Sequence, residues 1–337
     1  MSNAMSSIAS PLRDGFGRHI SYLRISVTDR CDLRCRYCMS EQMTFMPRAE
    51  ILTLEEIEEI ADAFIARGVR KIRLTGGEPL VRRNAGELAR KLGARIGQGL
   101  DELTLTTNAT RLAAEATTLR EAGIRRINVS LDSRDPARFR HITRTGDVAK
   151  VLEGIAAAKA AGIRIKINMV ALRALNEDEI EPMLRWCAGE GHDLTLIETM
   201  PLGLVEEDRT DHFLPLDLVR RRLEERFTLS STGHNSGGPA HYVYVEELGC
   251  RLGFITPLSH NFCETCNRVR LTASGRLYMC LGQDDHVDLR DALRSGGRPQ
   301  LDAAIDEAMR GKPLRHDFRI EPGDRPAVDR HMSVTGG

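Results

Sequence analysis

The sequence lacks a surplus of charge of either sign. Its 337 residues contain 48 lysines and arginines and 48 aspartates and glutamates, so the formal net charge is zero. Without a basic excess there is no bulk electrostatic attraction to nucleic acid or to an anionic membrane surface. We therefore expect neither nucleic acid nor a membrane among its partners.

Long hydrophobic runs are also missing. No apolar stretch of this sequence approaches the roughly 20 residues that span a bilayer. The segment from Met1 to Met5 has no basic stretch ahead of an apolar one, which a secretory signal would need. We interpret residues 1–4 as an added tag before a start at Met5, and we expect residues 1–15 to be flexible and the protein to be cytoplasmic.

Cysteine is present, and its distribution is uneven. Six of the eight cysteines fall into two groups, whereas Cys187 and Cys250 stand alone. In a chain that is not exported, cysteines are expected to be reduced thiols, metal ligands or redox groups rather than disulfides. The two isolated cysteines are therefore expected to be small buried hydrophobic residues.

The first group is Cys31, Cys35 and Cys38, with the spacing CxxxCxxC. Three thiolates on one short loop can bind three irons of a 4Fe–4S cluster, which leaves the fourth iron open to a small molecule. An open metal position indicates chemistry, whereas a closed one indicates a structural site. Zinc is the alternative, but zinc loops more often use CxxC pairs with a fourth ligand nearby.

The second group is Cys263, Cys266 and Cys280, again without an obvious fourth cysteine. His260 or His286 would complete a structural zinc site, which is the favoured interpretation of an isolated CxxC…C pattern. The residues of this group alone leave zinc and an iron–sulfur cluster as alternatives.

Short β-branched runs alternate with helix-length stretches through the first two thirds of the chain. Thr53 and Glu56 have capping-box spacing at the start of one such stretch. Six units of this kind predict a parallel sheet with right-handed crossovers. A complete barrel needs eight units, so an incomplete (β/α)6 TIM-like barrel is expected, and a doubly wound sheet remains an alternative. The predicted strands are 23–27, 71–75, 103–107, 127–131, 163–168 and 194–198.

A polar, glycine-rich stretch at 231–239 predicts a boundary. We expect a barrel domain over 16–230 and a smaller C-terminal α+β domain over 231–337 that closes the open side of the barrel. The second cysteine group and a predicted hairpin over 271–278 fall in this C-terminal part.

The motif Gly76-Gly77-Glu78-Pro79 ends the second predicted strand. Its glycines permit close approach of a ligand to the backbone, and active sites of α/β barrels lie at the C-terminal ends of strands. The first cysteine group follows the first strand, so both motifs should meet on one face. Together they resemble the radical S-adenosyl-L-methionine (SAM) superfamily. That resemblance implies a barrel of the radical SAM type, in which SAM binds the open iron and yields a 5′-deoxyadenosyl radical.

The resemblance narrows to one branch of that superfamily, GTP 3′,8-cyclase or molybdenum cofactor biosynthesis protein A, from about Phe16 to Gly337. It implies that both cysteine groups hold 4Fe–4S clusters, the second binding guanine. The implied reaction removes hydrogen from ribose C3′ of GTP and joins C3′ to guanine C8. The product would be (8S)-3′,8-cyclo-7,8-dihydroguanosine 5′-triphosphate, in the first step of molybdenum cofactor biosynthesis. The matching segments are 16–18, 22–30, 238–240, 255–263, 266–272 and the terminal glycines.

The resemblance also assigns residues to ligands. A triphosphate carries about four negative charges and favours planar arginine donors, and Arg268 and Arg270 alternate on one face of an extended segment. Without the resemblance, a single arginine in a strand would be interpreted as a solvated surface charge. Thr106 and Ser130 would be ordinary strand residues, and the terminal glycines would be a frayed end. The implied SAM contacts are Tyr37, Gly77, Ser130 and Met200; the implied GTP contacts are Arg24, Arg73, Thr106, Lys166, Arg268, Val269 and Arg270; the implied catalytic residues are Arg24, Arg268, Arg270, Gly336 and Gly337.

The implied partners are a reducing electron donor, a downstream cyclic pyranopterin monophosphate synthase that receives the product, and a second copy in a homodimer. Two alternatives remain. A radical SAM peptide-modifying enzyme also carries auxiliary clusters, although usually with more cysteines and without the Arg-x-Arg pattern. A zinc-stabilised binding module would use both cysteine groups without catalysis.

Overall fold

The computed structural model describes residues 11–205, 210–259, 263–316, 318 and 326–336. Within these residues twelve strands form a single sheet. The strands are β1 (Tyr22–Ser26), β2 (Lys71–Thr75), β3 (Glu102–Thr107), β4 (Arg126–Ser130), β5 (Arg164–Val170), β6 (Asp193–Ile197), β7 (Leu229–Ser231), β8 (His241–Val245), β9 (Cys250–Ile255), β10 (Arg268–Leu271), β11 (Arg276–Tyr278) and β12 (His286–Asp288).

Helices cover the parallel part of this sheet. The helices are α1 (Leu54–Ala66), α2 (Ala85–Gly93), α3 (Leu112–Glu121), α4 (Pro136–Thr143), α5 (Val148–Ala160), α6 (Ile180–Glu190), α7 (Leu216–Glu224), α8 (Leu289–Arg310) and α9 (Met332–Thr335). Helix α8 is interrupted at Gly297, where the backbone is not helical. No helix in the described parts of the chain is both long and apolar enough to cross a membrane.

The six predicted strands are confirmed as β1 to β6. They pair in parallel and in chain order at the centre of the sheet. Each begins or ends within two residues of its predicted bounds. The buried residues of these strands form one continuous hydrophobic core with the inner faces of the helices. The expected incomplete barrel is therefore the fold class of this protein.

Helix α1 shows how local sequence sets an element. The Thr53 hydroxyl accepts a hydrogen bond from the Glu56 N–H at 3.1 Å, and the Glu56 carboxylate accepts one from the Thr53 N–H at 2.8 Å. This reciprocal capping box satisfies backbone donors at the helix start. The helix then buries Ile57, Ile60 and Phe64 at helical spacing against the sheet.

Strands from the C-terminal part extend both edges of the barrel sheet. Strand β9 pairs in parallel with β6, and β10 pairs in parallel with β1. The hairpin β10–β11 and the strands β12, β8 and β7 continue outward in antiparallel fashion. Eight adjacent parallel strands therefore run from β10 to β9 within the described residues.

The glycine-rich stretch lies at the N-terminal ends of the barrel strands. The Ser236 carbonyl accepts hydrogen bonds from Lys71 Nζ at 2.8 Å and from Arg126 Nη2 at 3.0 Å. The Tyr242 hydroxyl donates to Ser236 Oγ at 3.1 Å. This segment therefore covers the end of the barrel opposite the Gly76-Gly77-Glu78-Pro79 turn.

The N-terminal stretch is packed where the structure describes it. The Leu12 N–H donates to the Arg67 carbonyl, and the Leu12 carbonyl accepts from the Ile20 N–H. The Leu12 side chain is buried in the main core. Residues 1–10 lie outside the described residues.

Candidate active site

The first cysteine group lies on the loop that follows β1. Cys31, Cys35 and Cys38 all border one cavity with about 1080 Å³ of empty space. The Cys38 N–H donates to the Cys35 carbonyl at 2.9 Å, and the Leu33 N–H donates to Cys31 Sγ at 3.4 Å. The loop thus directs its three thiols toward one space.

These thiols need a positive partner to ionise. Burial raises the pKa of the Cys31 thiol to about 12 and that of Cys35 well above its usual value. A bound metal ion deprotonates such ligands outright. Among the described residues, no three Cys, His, Asp or Glu side chains are close enough to share one metal ion. A 4Fe–4S cluster does not need three ligands on one metal ion, because each thiolate binds a different iron. The first group therefore fits a 4Fe–4S cluster.

The residues that the resemblance assigns to SAM border the same cavity. They come from the cysteine loop, the turn after β2, the end of β4 and the segment after β6, so they gather at the C-terminal ends of the barrel strands. They are Tyr37, Gly77, Ser130 and Met200.

Asp132 also borders this cavity and was not identified from the sequence. Its buried carboxyl group accepts a hydrogen bond from the Tyr37 hydroxyl at 2.6 Å and another from the Val170 N–H at 2.9 Å. Burial raises the pKa of Asp132 to about 6. Asp132 therefore fixes the orientation of Tyr37. Its position just after the end of β4, where barrel active sites lie, is the signal in the sequence that could have identified it.

Glu78, the acidic residue of the turn after β2, connects two turns at the end of the barrel. Its carboxylate is fully buried and accepts from the Leu80 N–H at 2.9 Å, the Thr107 hydroxyl at 2.8 Å and the Asn108 N–H at 2.6 Å. Burial raises the pKa of Glu78 to about 7, despite these three donors. The side chain joins the turn after β2 to the turn after β3, so it positions the floor of the cavity.

Gly77 has no room for a side chain. A Cβ atom there would lie 2.4 Å from the Arg30 carbonyl oxygen and 2.8 Å from that of Asp29. Both are backbone atoms of the segment that leads into the cysteine loop, so a rotamer change cannot relieve the clash. We expect Gly77→Ala to lower the free energy of unfolding by about 1–3 kcal/mol, as overpacking does, and to weaken SAM binding.

Denaturant unfolding measures the first effect, and calorimetric titration with SAM measures the second. The matched control is Gly189→Ala in α6, where a Cβ atom meets nothing within 4 Å and alanine favours the helix. Equal stability of the two variants would contradict the close approach at Gly77.

The second cysteine group borders a second cavity, which has about 1040 Å³ of empty space. Cys263, Cys266 and Cys280 all line it, and the Cys266 N–H donates to the Cys263 carbonyl at 3.0 Å. Burial raises the pKa of the Cys266 thiol, but the charges of Lys312 and Arg268 outweigh burial and lower it to about 7. Three thiols around one space, one of them readily ionised, fit a second cluster.

The histidines considered as zinc ligands do not complete this group in the described part of the chain. His286 is exposed, its Nδ1 lies 2.8 Å from the Asp284 carbonyl oxygen, and it is not among the described residues that line the cavity. His260 lies outside the described residues. His316, which the sequence analysis did not identify, lines the cavity instead.

Six basic side chains line the second cavity, and no carboxylate does so among the described residues. Five of them were expected from the resemblance; the sixth, Lys71, was not identified, although it alternates with Arg73 along β2 and so shares its face. The six are Arg24, Lys71, Arg73, Lys166, Arg268 and Arg270.

Strand register brings three of these arginines into one row. Arg24 in β1 lies level with Arg270 in β10 and with Arg73 in β2. Arg73 Nη1 donates to Thr106 Oγ1 at 3.0 Å, so its guanidinium group also contacts β3, two residues beyond Thr104, which is level with Arg73. Adjacent parallel strands place level residues side by side on one face, which makes this a continuous basic surface.

A second row lies one layer away. Tyr22 in β1 is level with Arg268 in β10 and with Lys71 in β2. Arg73 Nε donates to the Tyr22 hydroxyl at 2.5 Å. Burial raises the pKa of Tyr22, but Arg73, Arg24 and Lys71 outweigh it and lower the pKa to about 7. The phenol thus lies where three cations favour its ionised form.

Crowding of cations is unfavourable without an anion. Burial and nearby arginines lower the pKa of Lys166 to about 7, that of Arg24 to about 9 and that of Arg270 to about 10. A lowered pKa means that the surroundings oppose the positive charge. A bound polyanion with several oxygen acceptors would stabilise these positive charges. The charge distribution of the second cavity therefore favours a bound polyanion.

Val269 differs from its neighbours in β10. It is fully buried in the hydrophobic core, and it is not among the described residues that line the cavity. Alternation along the strand explains this, because Arg268 and Arg270 on either side face the cavity. The side chain of Val269 therefore points away from the second cavity.

The C-terminal tail reaches the second cavity. Gly336 lines it, and Arg24 Nη2 donates to the Gly336 carbonyl at 3.4 Å. Gly336 has φ of 76°, and a Cβ atom there would lie 1.9 Å from Thr75 Oγ1. Both the backbone angle and the close approach require glycine. Gly337 lies outside the described residues.

The two cavities adjoin inside the barrel. The first cysteine group follows the C-terminal end of β1, whereas Cys266 precedes β10, which runs parallel to β1. A strand of five residues spans about 16 Å at ~3.3 Å per residue. The cysteine groups therefore lie at opposite ends of one chamber. Residues that line both cavities are Thr106, Asn168, Ile197, Met200 and Met332.

Comparison with known proteins agrees with this geometry. Residues 25–187 match the radical SAM superfamily, and residues 192–318 match the molybdenum cofactor synthesis C family. The chain is 62% identical over 331 residues to a GTP 3′,8-cyclase of Rhizobium etli (strain CIAT 652), which covers 98% of this chain and 95% of that protein. It is 61% identical over 330 residues to a GTP 3′,8-cyclase of Erythrobacter litoralis, covering 98% of this chain and 99% of that protein.

Solved structures share the fold. Streptococcus suis SuiB bound to S-adenosylmethionine is 15% identical with a TM-score of 0.59, covering 80% of this chain and 63% of SuiB. Another structure of Streptococcus suis SuiB is 14% identical with a TM-score of 0.60, covering 86% of this chain and 67% of SuiB. Likeness at this level of identity concerns the fold alone, and it confirms the barrel class.

Proposed function

The chain belongs to the GTP 3′,8-cyclase family of radical SAM proteins, and on that premise we propose how its two cavities divide the reaction. The protein converts GTP to (8S)-3′,8-cyclo-7,8-dihydroguanosine 5′-triphosphate with SAM and two 4Fe–4S clusters, in the first step of molybdenum cofactor biosynthesis. The observation that carries this proposal is the cavity in which six basic side chains and three cysteines face one space. A nucleoside triphosphate presents the polyanion that such a cavity needs.

The first cavity is proposed as the SAM site. Cys31, Cys35 and Cys38 would hold a cluster that supplies, with SAM, the radical for hydrogen abstraction. Tyr37, held by Asp132 at 2.6 Å, would contact SAM with a fixed orientation. Gly77, Ser130 and Met200 would complete the contacts, and the absence of a Cβ at Gly77 lets this turn pack against the segment that leads into the cysteine loop.

The second cavity is proposed as the GTP site. Cys263, Cys266 and Cys280 would hold the second cluster, which binds the guanine edge. The triphosphate would bind the six basic side chains that border the cavity. Thr106 and Met200, which border both cavities, would contact the ribose, where C3′ loses hydrogen and joins C8.

The tail is proposed to act within the GTP site. Arg24 holds the Gly336 carbonyl and also lies in the row of arginines. Gly336 would therefore reach the reacting nucleotide without a side chain that competes for its space, and the resemblance implies a catalytic role for Gly337 as well.

The partners are proposed from family membership, and the compartment is proposed from the cysteines. We propose a low-potential electron donor, a cyclic pyranopterin monophosphate synthase that receives the product, and a homodimer. Eight reduced thiols suit the reducing cytoplasm, where we propose that the protein acts.

Anaerobic turnover tests the function. The reduced, reconstituted protein is incubated with SAM and GTP, and 5′-deoxyadenosine and the cyclised nucleotide are quantified by mass spectrometry. ATP is the matched control, since it has the same triphosphate with a different base. We expect both products with GTP and no cyclised nucleotide with ATP. Formation of 5′-deoxyadenosine with a peptide but never with GTP would support the peptide-modifying alternative.

Arg268 provides a test of the triphosphate site. Its side chain is 5% exposed and borders the second cavity. We expect Arg268→Ala to weaken GTP binding by about 1.5–3 kcal/mol, the range for a hydrogen bond to a charged group. Calorimetric titration with GTP on the reconstituted protein measures the change.

The matched control for Arg268→Ala is Arg276→Ala. Arg276 lies on the neighbouring strand β11 and is exposed, so its replacement should leave GTP affinity unchanged. An unaltered dissociation constant for Arg268→Ala, or an equal loss in both variants, would remove Arg268 from the phosphate site.

A further inference from the structure

Lys312 is a buried lysine for which the proposed reaction has no role so far. It lies just past α8, and only 3% of it is exposed. Its ammonium group donates to the Met279 carbonyl at 2.6 Å and to the Arg268 carbonyl at 3.1 Å, and it lies 3.6 Å from Cys266 Sγ. Burying an ammonium group costs free energy unless the group is paired. These three contacts offset that cost, and they indicate what the buried lysine does.

The three partners belong to both chain segments that carry the second cysteine group. Cys266 and Arg268 lie on the segment that enters β10, whereas Met279 directly precedes Cys280. One ammonium group therefore joins the two segments. Cys266 and Cys280 favour the positive charge of Lys312, whereas burial and the neighbouring Arg18 and Arg270 oppose it.

The backbone next to Lys312 is held independently of its side chain. Arg18 Nη2 donates to the Pro313 carbonyl at 2.5 Å, and its Nη1 donates to the Leu314 carbonyl at 2.7 Å and to the Cys263 carbonyl at 2.8 Å. Asp14 holds the guanidinium group by an ion pair at 2.5 Å. Replacing the lysine side chain should therefore leave this segment in place.

We propose that Lys312 is a positioning residue that sets the reduction potential of the second cluster through an N–H···S hydrogen bond to Cys266. The inference rests on the proposed function, because it requires a cluster on this cysteine group. One electron from a low-potential donor makes the cluster one charge more negative. A positive donor at a ligand sulfur stabilises that reduced form, and hydrogen bonds to cluster sulfurs are among the factors that set such potentials. Lys312 thus favours reduction of the cluster that faces GTP.

The test is a redox titration of the second cluster alone. Full-length protein with Cys31, Cys35 and Cys38 replaced by alanine is reconstituted anaerobically, and its reduced signal is followed by electron paramagnetic resonance. We expect Lys312→Met to favour the oxidised form at least tenfold, which is ~59 mV for one electron. Lys312→Arg keeps the charge and should stay close to the parent, and Lys312→Gln keeps a neutral donor and should fall between them.

Iron and sulfide contents separate the possible failures. A parent without iron would overturn the proposed function, and this inference with it. An iron-loaded Lys312→Met variant with the potential of the parent would overturn the inference alone. If Lys312→Met alone fails to bind iron, the Lys312→Gln variant decides: a reduction potential equal to that of the parent would overturn the inference alone. If neither Lys312→Met nor Lys312→Gln binds iron, iron binding by Lys312→Arg supports the need for a positive charge. If none of the three variants binds iron, Lys312 has a purely structural role and the inference is overturned.

Discussion

The Cys35→Ala variant is expected to lose all reductive cleavage of SAM. Cys35 borders the first cavity together with Cys31 and Cys38, and both neighbouring thiols act on its ionisation. Without its thiolate, one iron of the proposed cluster would lack a protein ligand, and the cluster that would bind SAM would not assemble intact. The variant should retain the iron of the second group only, and 5′-deoxyadenosine should fall below detection by mass spectrometry.

Cys250 offers a matched control for this loss. It is an isolated, half-buried thiol at the start of β9, paired in register with Val245, and it borders neither of the two cavities in the described structure. We expect Cys250→Ala to bind the full complement of iron and to cleave SAM at the parental rate. Cleavage retained in Cys35→Ala would refute the assignment of the first group, and an equal loss in Cys250→Ala would show that cysteine replacement itself damages the protein.

The parts of the fold that depend on local sequence could be predicted. The strands β1 to β6 follow from β-branched runs, and α1 follows from its capping box and its buried positions at helical spacing. Such signals come from residues close together in the chain, so they need no knowledge of the tertiary structure. The exact ends of strands depend on pairing with a neighbouring strand, because that pairing decides whether one more residue joins the ladder.

The long-range parts could not be predicted from the residues. Strands β9 and β10 join opposite edges of the barrel sheet, and nothing in their own sequences specifies these partners. The row formed by Arg24, Arg73 and Arg270 depends on the register of three strands that are far apart in the chain. Lys71 shows the same limit, since alternation with Arg73 places it on a face but does not say what that face encloses.

Buried carboxylates were missed for a related reason. Asp132 and Glu78 act by holding other groups, and their hydrogen bonds connect separate turns at the same end of the barrel. A carboxylate in a loop is ordinarily solvated, so only the packed structure shows that these two are enclosed. Val269 has its side chain in the hydrophobic core by strand alternation, and its contact with GTP stays a prediction of the resemblance.

The Cys266→Ala variant should separate the two halves of the reaction. Its first cysteine group is unchanged and lies at the other end of β1, in a different cavity. We therefore expect about one cluster to remain, SAM cleavage to persist, and the cyclised nucleotide to disappear. The loss follows because guanine would no longer be held at the end of the chamber opposite SAM, so C3′ and C8 would not be positioned for bond formation.

Three measurements on this variant decide between the explanations of such a loss. Iron and sulfide analysis reports the remaining cluster, 5′-deoxyadenosine reports the first cavity, and GTP binding reports the basic side chains. Because Arg268 and Arg270 lie in β10, two and four residues after Cys266, a folding defect would weaken triphosphate binding as well. We expect GTP to bind more weakly than to the parent but still more tightly than GMP, since the six basic side chains remain in place. Unchanged formation of the cyclised nucleotide would remove the second cysteine group from the mechanism, and simultaneous loss of SAM cleavage would mean that the two cavities do not work as separate sites.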